Sequence, residues 1–278
     1  MSKLNNHQLE KIESSTPSIK LNLIRDYPSK EPKAILICHH GIILSLKFYE
    51  PFVKPMNEAN IILYRYDARG HGDSEGKRGY VKSFFEMVED LKIVVDLAKK
   101  ENPNLAVFII GHSMGGHVSA LFGTKYSNEV NGIILCSGLL KDTIKVFGGF
   151  PQEGEPEKYV SIIDAFKPKE VDENLVGILA KAYPNCLREI TYGIINAFGD
   201  GLDYLKNNVK NFGAPVLVLN GNIDFLVNEK DAINFYMDLE NKDKSLIIYS
   251  EVGHMVWFEE KGDMIIENIL AWIQHRIK

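Results

Sequence analysis

The chain has 278 residues, 45% of them apolar, enough for one large domain or a domain carrying an inserted subdomain. Its net charge of −5 is scattered, with no basic stripe and no acidic tail, which argues against nucleic acid as a partner. Apolar runs such as Ala34–Cys38 and Ile133–Cys136 are strand-length and far too short to span a bilayer.

The start, Met1 to Gln8, has neither the apolar core nor the cleavage site of a secretory signal. Residues 1 to about 18 read as a polar leader before a first strand near Ile19–Arg25. A strand at Ala34–Cys38 is followed by a helical pattern over Phe48–Ala59, a strand at Ile61–Tyr66 and a helix over Phe84–Lys100. Strand Leu105–Ile110, helix Ser113–Tyr126 and strand Gly132–Cys136 continue the alternation. The rhythm then breaks. From Leu139 to about Gly213 there are only helical pieces, such as Asp172–Tyr183 and Leu187–Phe198, after a Gly- and Pro-rich loop at Gly148–Pro156. It resumes with strand Pro215–Leu219, helix Glu229–Leu239, strand Ser245–Tyr249 and helix Asp263–Arg276. Strands alternating with helices predict a mostly parallel, doubly wound α/β sheet. Residues 1–138 and 214–278 are expected to form this core, and 139–213 a mostly helical cap inserted after the Gly132–Cys136 strand. Three cysteines, Cys38, Cys136 and Cys186, an odd count with two inside apolar runs, read as free thiols and point to the cytoplasm.

One segment demands a chemical explanation. Val107 to Gly116 reads VFIIGHSMGG: an apolar strand that stops at Gly111-His112-Ser113-Met114-Gly115 and passes directly into a helix. A serine between two glycines at such a junction is a nucleophile elbow. The turn holds the serine backbone in an unfavourable conformation, and side chains at Gly111 or Gly115 would crowd the neighbouring strand and helix. The hydroxyl then stands clear, and the helix N-terminus aims its free N–H groups at whatever the hydroxyl attacks.

A serine hydroxyl needs a base to take its proton and an acid to hold that base in one tautomer. Of eight histidines, His254 ends the loop after strand Ser245–Tyr249 and precedes the last helix, the place of the base in the chain order Ser, Asp, His. His7 and His275 read as solvated, His117 as packing or capping, and His112 as support for the turn. The acid falls in the loop after Pro215–Leu219, where Leu219-Asn-Gly-Asn-Ile-Asp224 supplies Asp224. Asp231 competes, but its helix would carry it away. Two backbone donors complete such a site: the N–H of Met114, directly after the serine, and that of Ile42, after His39-His40-Gly41. His40 is expected to order that loop. The glycine-rich loop Asp67–Ser74 lacks the Gly-Lys-Ser/Thr ending of a phosphate loop and reads as a structural turn.

His40-Gly41, Tyr66-Asp67-Ala-Arg-Gly-His-Gly-Asp-Ser-Glu-Gly76, Gly111–Gly115, Asp224 and His254 together resemble the monoacylglycerol lipase and lysophospholipase group of α/β-hydrolases. The resemblance runs from about Ala34 to the C-terminus, is densest between Ile61 and Gly123, and is weak across the cap. It implies an eight-stranded sheet with a cap over an apolar acyl tunnel, and no metal or organic cofactor. It also implies Ser113 as nucleophile, Asp224 and His254 as its partners, and Ile42 and Met114 as oxyanion donors. The expected activity is serine-dependent hydrolysis of a lipid-like monoester, a small molecule with an apolar acyl chain. Relatives commonly continue the His-Gly loop with a polar Gly-Glu-His-Ser-type segment. Here Ile42-Ile-Leu-Ser-Leu-Lys-Phe-Tyr49 stands instead, which makes the mouth more apolar and weakens the case for glycerol headgroup recognition.

Phe147, Phe150, Ile178, Leu179, Tyr192, Ile195 and Phe198 are candidate pocket residues, with a spacing that also fits ordinary helix packing. An apolar face exposed by the cap would suit peripheral contact with a membrane. The alternatives on the same scaffold are a small-chain or phenolic-ester esterase and an aminopeptidase-like enzyme. The second would need a cap carboxylate, such as Glu153, Glu155, Glu157 or Asp164, to hold a substrate ammonium. A hydrolase-like binding protein would typically have lost the elbow or one of its partners, and all are present.

Overall fold

The computed structural model describes residues 7–277. Buried, mostly apolar runs make the centre of one sheet: β3 (Ala34–His39), β4 (Ile61–Tyr66), β5 (Ala106–His112), β6 (Gly132–Cys136) and β9 (Val216–Gly221). They pair in parallel, as continuous apolar strands covered on both faces do. β10 (Lys244–Tyr249) closes one edge in parallel with β9. At the other edge, β1 (His7–Glu13) and β2 (Lys20–Asp26) run antiparallel, and β2 runs antiparallel to β4. The order is β1-β2-β4-β3-β5-β6-β9-β10.

β1 corrects the reading of residues 7–13 as a polar leader. An edge strand exposed on both faces needs no apolar alternation, and only Ile12 of the seven residues is buried. His7, read as solvated, is indeed half-exposed, but its Nδ1 lies 2.8 Å from the Asp26 carboxylate. That carboxylate also accepts from the buried Arg65 guanidinium at 2.7 and 3.1 Å.

One face of the sheet carries α2 (Phe84–Glu101) and α3 (Met114–Lys125), with α7 (Glu229–Asp238) beside β9 and β10; the other carries α1 (Glu50–Glu58) and α8 (Gly262–Gln274). α2 begins with a side-chain cap: Ser83 Oγ accepts from Phe85 N–H at 3.2 Å, and Glu86 in the first turn accepts from Lys82 N–H at 2.9 Å.

Between β6 and β9 the chain forms α4 (Ile162–Ala165), α5 (Glu173–Ala182) and α6 (Tyr192–Asn208), with a two-stranded antiparallel ribbon of β7 (Tyr159–Ser161) and β8 (Glu189–Thr191). The stretch read as a helix over Leu187–Phe198 is therefore strand first and helix after. Thr191 marks the switch, its hydroxyl accepting from Ile194 N–H. α6 also continues past Gly199 and Gly201, because both make close contacts there: a Cβ at Gly201 would strike the His117 ring, and one at Gly199 the Phe150 ring. This helix ties the segment between β6 and β9 to the core, with the Phe198 ring tilted against that of Phe84, centroids 4.4 Å apart.

Asp231 sits in α7, away from His254. Its buried carboxylate accepts the N–H groups of Asp142 and Thr143, both at 2.8 Å, and so anchors the start of the insertion. Burial pushes the neighbouring Asp142 up from 3.8 to about 6; Asp231 adds to this, while Val146 N–H and Lys145 oppose it. A carboxyl whose folded pKa is raised holds its proton longer than in the unfolded chain, so stability falls as pH rises from about 4 to about 6. Asp142→Asn keeps the acceptor for Val146 N–H and removes the charge. Its melting temperature relative to wild type is expected to climb between pH 4 and 7; a constant difference across that range would contradict the assignment.

Candidate active site

Ser113 has φ 55° and ψ −114°, a strained conformation for a residue with a side chain, and stands between the C-terminal end of β5 and the first turn of α3. Glycine is required on both sides. A Cβ at Gly111 would run into the Gly115 carbonyl, and one at Gly115 into the His39 carbonyl. Met114 is the first residue of α3, where an N–H has no intrahelical acceptor. The loop bearing Ile42 lies alongside, with Gly41 packed close to Ser113 Cβ. His40 orders that loop: its Nδ1–H donates to the Gly41 carbonyl at 2.8 Å, and its Nε2 accepts from Ala68 N–H at 2.9 Å. Burial lowers its pKa, which keeps the ring neutral for both bonds.

His254 and Asp224 meet from neighbouring loops. The histidine Nδ1 lies 2.9 and 3.0 Å from the two Asp224 oxygens, and both side chains are buried. Asp224 Oδ1 also accepts from Leu226 and Val227 N–H at 2.9 and 2.8 Å, which folds its loop around the carboxylate. The loops are locked together where Asn222 Oδ1 accepts from Glu251 N–H and the Tyr249 carbonyl from Asn222 N–H. Glu259 accepts from Gly253 N–H at 2.7 Å, fixing the residue before the histidine. His112 secures the same loop from the elbow, its Nε2–H donating to the His254 carbonyl at 2.8 Å. Burial and the nearby His254 hold His112 well below the ordinary histidine range, so it stays a neutral prop. His117 likewise donates Nδ1–H to the Leu139 carbonyl, with burial taking it down to about 4.

The loop Asp67–Ser74 is structural. Asp67 accepts from Leu46 and Asp73 N–H and from the Asn22 amide, and Arg69 grips Asp90 with two nitrogens at 2.7 Å. His71 is buried and pushed down to about 3.

Ser113 and His254 open into one cavity whose lining is almost wholly apolar. Its walls are Ile42, Ile43 and Leu44 after β3, and Phe225, Leu226 and Val227 after Asp224. Leu175, Val176 and Leu179 of α5 and Phe198 of α6 form further walls. Of the expected pocket residues, Phe147, Leu179 and Phe198 line it. The other four do not. Ile178 lies on the outer face of α5, 56% exposed, because helical period puts 175, 176 and 179 together and turns 178 away. Ile195 is buried in helix packing, Phe150 backs onto Phe147 and Gly199, and Tyr192 stacks against Gly154. The wall that was missed, Phe225–Val227, carries a sequence signal of its own: three apolar residues in a loop directly after the carboxylate. Among the described residues no cluster of three or more His, Cys, Asp or Glu side chains is arranged to hold a metal, and no helix is long and apolar enough to cross a membrane.

This sheet order, with the elbow on central β5 and the carboxylate and histidine on the loops after β9 and β10, is the α/β-hydrolase architecture, and the chain is an enzyme of that class. It belongs to the family described as serine aminopeptidase, S33, whose model matches residues 30–261. It is 28% identical over 267 residues to the monoglyceride lipase of Rattus norvegicus, covering 90% of this chain and 85% of that one. To the monoacylglycerol lipase of Mycolicibacterium smegmatis it is 24% identical over 264 residues, covering 88% and 90%. A soluble variant of monoglyceride lipase from Saccharomyces cerevisiae shares the fold with a TM-score of 0.81 at 17% identity, covering 99% of this chain and 97% of that one.

Proposed function

We propose that this protein is a serine carboxylic-ester hydrolase acting on lipid-like monoesters, the class that includes monoacylglycerols and lysophospholipids. The observation that carries the reading is His254, whose Nδ1 is held by Asp224 in the wall of a cavity that Ser113 also lines. Ser113 Oγ attacks the ester carbonyl as His254 Nε2 takes its proton. Asp224 keeps Nδ1 protonated and stabilises the imidazolium. The N–H groups of Ile42 and Met114 receive the developing oxyanion. His254 returns the proton to the departing alcohol, and the same base then activates water to release the acid from the acyl-enzyme.

Residues 139–213 act in this reading as a cap over the acyl site, supported by the cavity walls drawn from α5 and α6. Peripheral contact of the cap with a lipid surface belongs to the same proposal, supported by the exposed Ile144, Ile163 and Ile178. A cytoplasmic location is supported by three free thiols. The apolar walls favour an ester over a peptide. Glu153, Glu155, Glu157 and Asp164 lie outside the lining, so none is there to hold a substrate ammonium.

Hydrolysis of p-nitrophenyl esters from acetate to palmitate tests the substrate class. The expected profile rises to a maximum in kcat/KM at medium or long acyl chains. A maximum at acetate or butyrate would overturn the lipid-like assignment in favour of a small-ester esterase.

A further inference from the structure

Resting on the ester-hydrolase reading, we infer that the alcohol this enzyme releases is itself a hydrocarbon, so that its preferred substrates are alkyl esters of fatty acids and not polyol monoesters. An ester bound at Ser113 sends its acyl chain one way and its alkoxy group another. Ser113 opens into a single apolar cavity, and its walls offer few partners to a hydroxyl. The only polar side chains in the lining are His112, Ser113 and His254. His112 donates Nε2–H to the His254 carbonyl, its unpartnered Nδ1 is buried beside Gly41, and His254 Nδ1 is held by Asp224.

Much of the backbone beside the serine is committed as well. In the loop after β3, the Gly41 carbonyl accepts from His40 and from Leu44 N–H, and the Ile43 carbonyl accepts from Leu187 N–H at 3.0 Å. In the loop after β9, the N–H groups of Leu226 and Val227 go to Asp224, and the Val227 carbonyl accepts from the Asn220 amide at 3.0 Å. The N–H groups of Ile42 and Met114 are the ones assigned to the oxyanion. A glycerol hydroxyl carried into these walls gives up its bonds to water without replacing them, whereas a methylene gains from burial. An apolar pocket of this kind rejects an added hydroxyl by up to about 10²-fold.

The test compares propyl decanoate with 1-monodecanoylglycerol, both kept below the concentration at which they aggregate. They share the acyl chain and the three-carbon alcohol skeleton and differ by two hydroxyls. Glycerol is intrinsically the better leaving group, so simple reactivity runs against the predicted order. The expected result is a kcat/KM at least about tenfold higher for the propyl ester. Equal or faster hydrolysis of the monoacylglycerol would overturn the inference while leaving the ester-hydrolase reading intact. Hydrolysis of neither would overturn both.

A second variant probes the wall directly. Ile43 has φ 62°, where a β-branched residue is strained and asparagine is at home. Ile43→Asn relieves that strain and places an amide in the cavity. It is expected to raise the ratio of monoacylglycerol to propyl ester hydrolysis several-fold. An unchanged ratio would mean that this wall does not face the alcohol, and would also overturn the inference.

Discussion

Replacing Ser113 by alanine is expected to lower kcat by at least about 10⁴-fold on every ester, with the fold retained. The two effects separate cleanly at this position. The Ser113 hydroxyl caps nothing on α3, so its loss removes no support from the structure. What changes is the hydroxyl of a residue that lines the cavity. The strained backbone conformation stays, since alanine also carries a Cβ, and the thermal melting of the variant should match wild type. Substantial residual activity in a correctly folded Ser113→Ala protein would mean that hydrolysis proceeds by another nucleophile.

Asp224→Asn is the second large loss, about 10⁴-fold in kcat. An asparagine keeps one oxygen to accept Leu226 and Val227 N–H, so the loop and its apolar wall survive. Its amide nitrogen, however, would face His254 Nδ1 and demand a lone pair there. The ring proton then moves to Nε2, where the base must be free to accept from Ser113. Asp224→Ala removes the loop acceptors as well, and is expected to lower the melting temperature where the asparagine variant does not. Measuring kcat and thermal melting for both variants distinguishes the tautomer effect from loop collapse. Equal activity in wild type and Asp224→Asn would remove Asp224 from the mechanism.

The parts of the fold legible in the sequence are those where a single force dominates. β3, β5, β6 and β9 are buried on both faces and read as unbroken apolar runs. The elbow is legible because its glycines sit where any side chain would meet backbone. Asp224 and His254 follow from the strands they succeed, and the structure brings them into hydrogen-bonding distance.

The rest was hidden for physical reasons. β1 satisfies its backbone against β2 while exposing both faces, so no alternation marks it. The β7–β8 ribbon is three residues a side, too short for a period to register. The cavity wall depends on how α5 is rotated against the core, which decides between Ile178 and Leu179 and is set by tertiary packing. Asp231, discounted because its helix carries it from the site, instead anchors the start of the insertion, a contact between segments far apart in the chain.

Covalent labelling of the purified protein with a fluorophosphonate, followed by peptide mass spectrometry, tests Ser113 as the nucleophile. One stoichiometric adduct is expected, on Ser113, lost in Ser113→Ala and strongly slowed in Asp224→Asn. A folded wild-type protein that takes up no label, or takes it up on another residue, would contradict that assignment.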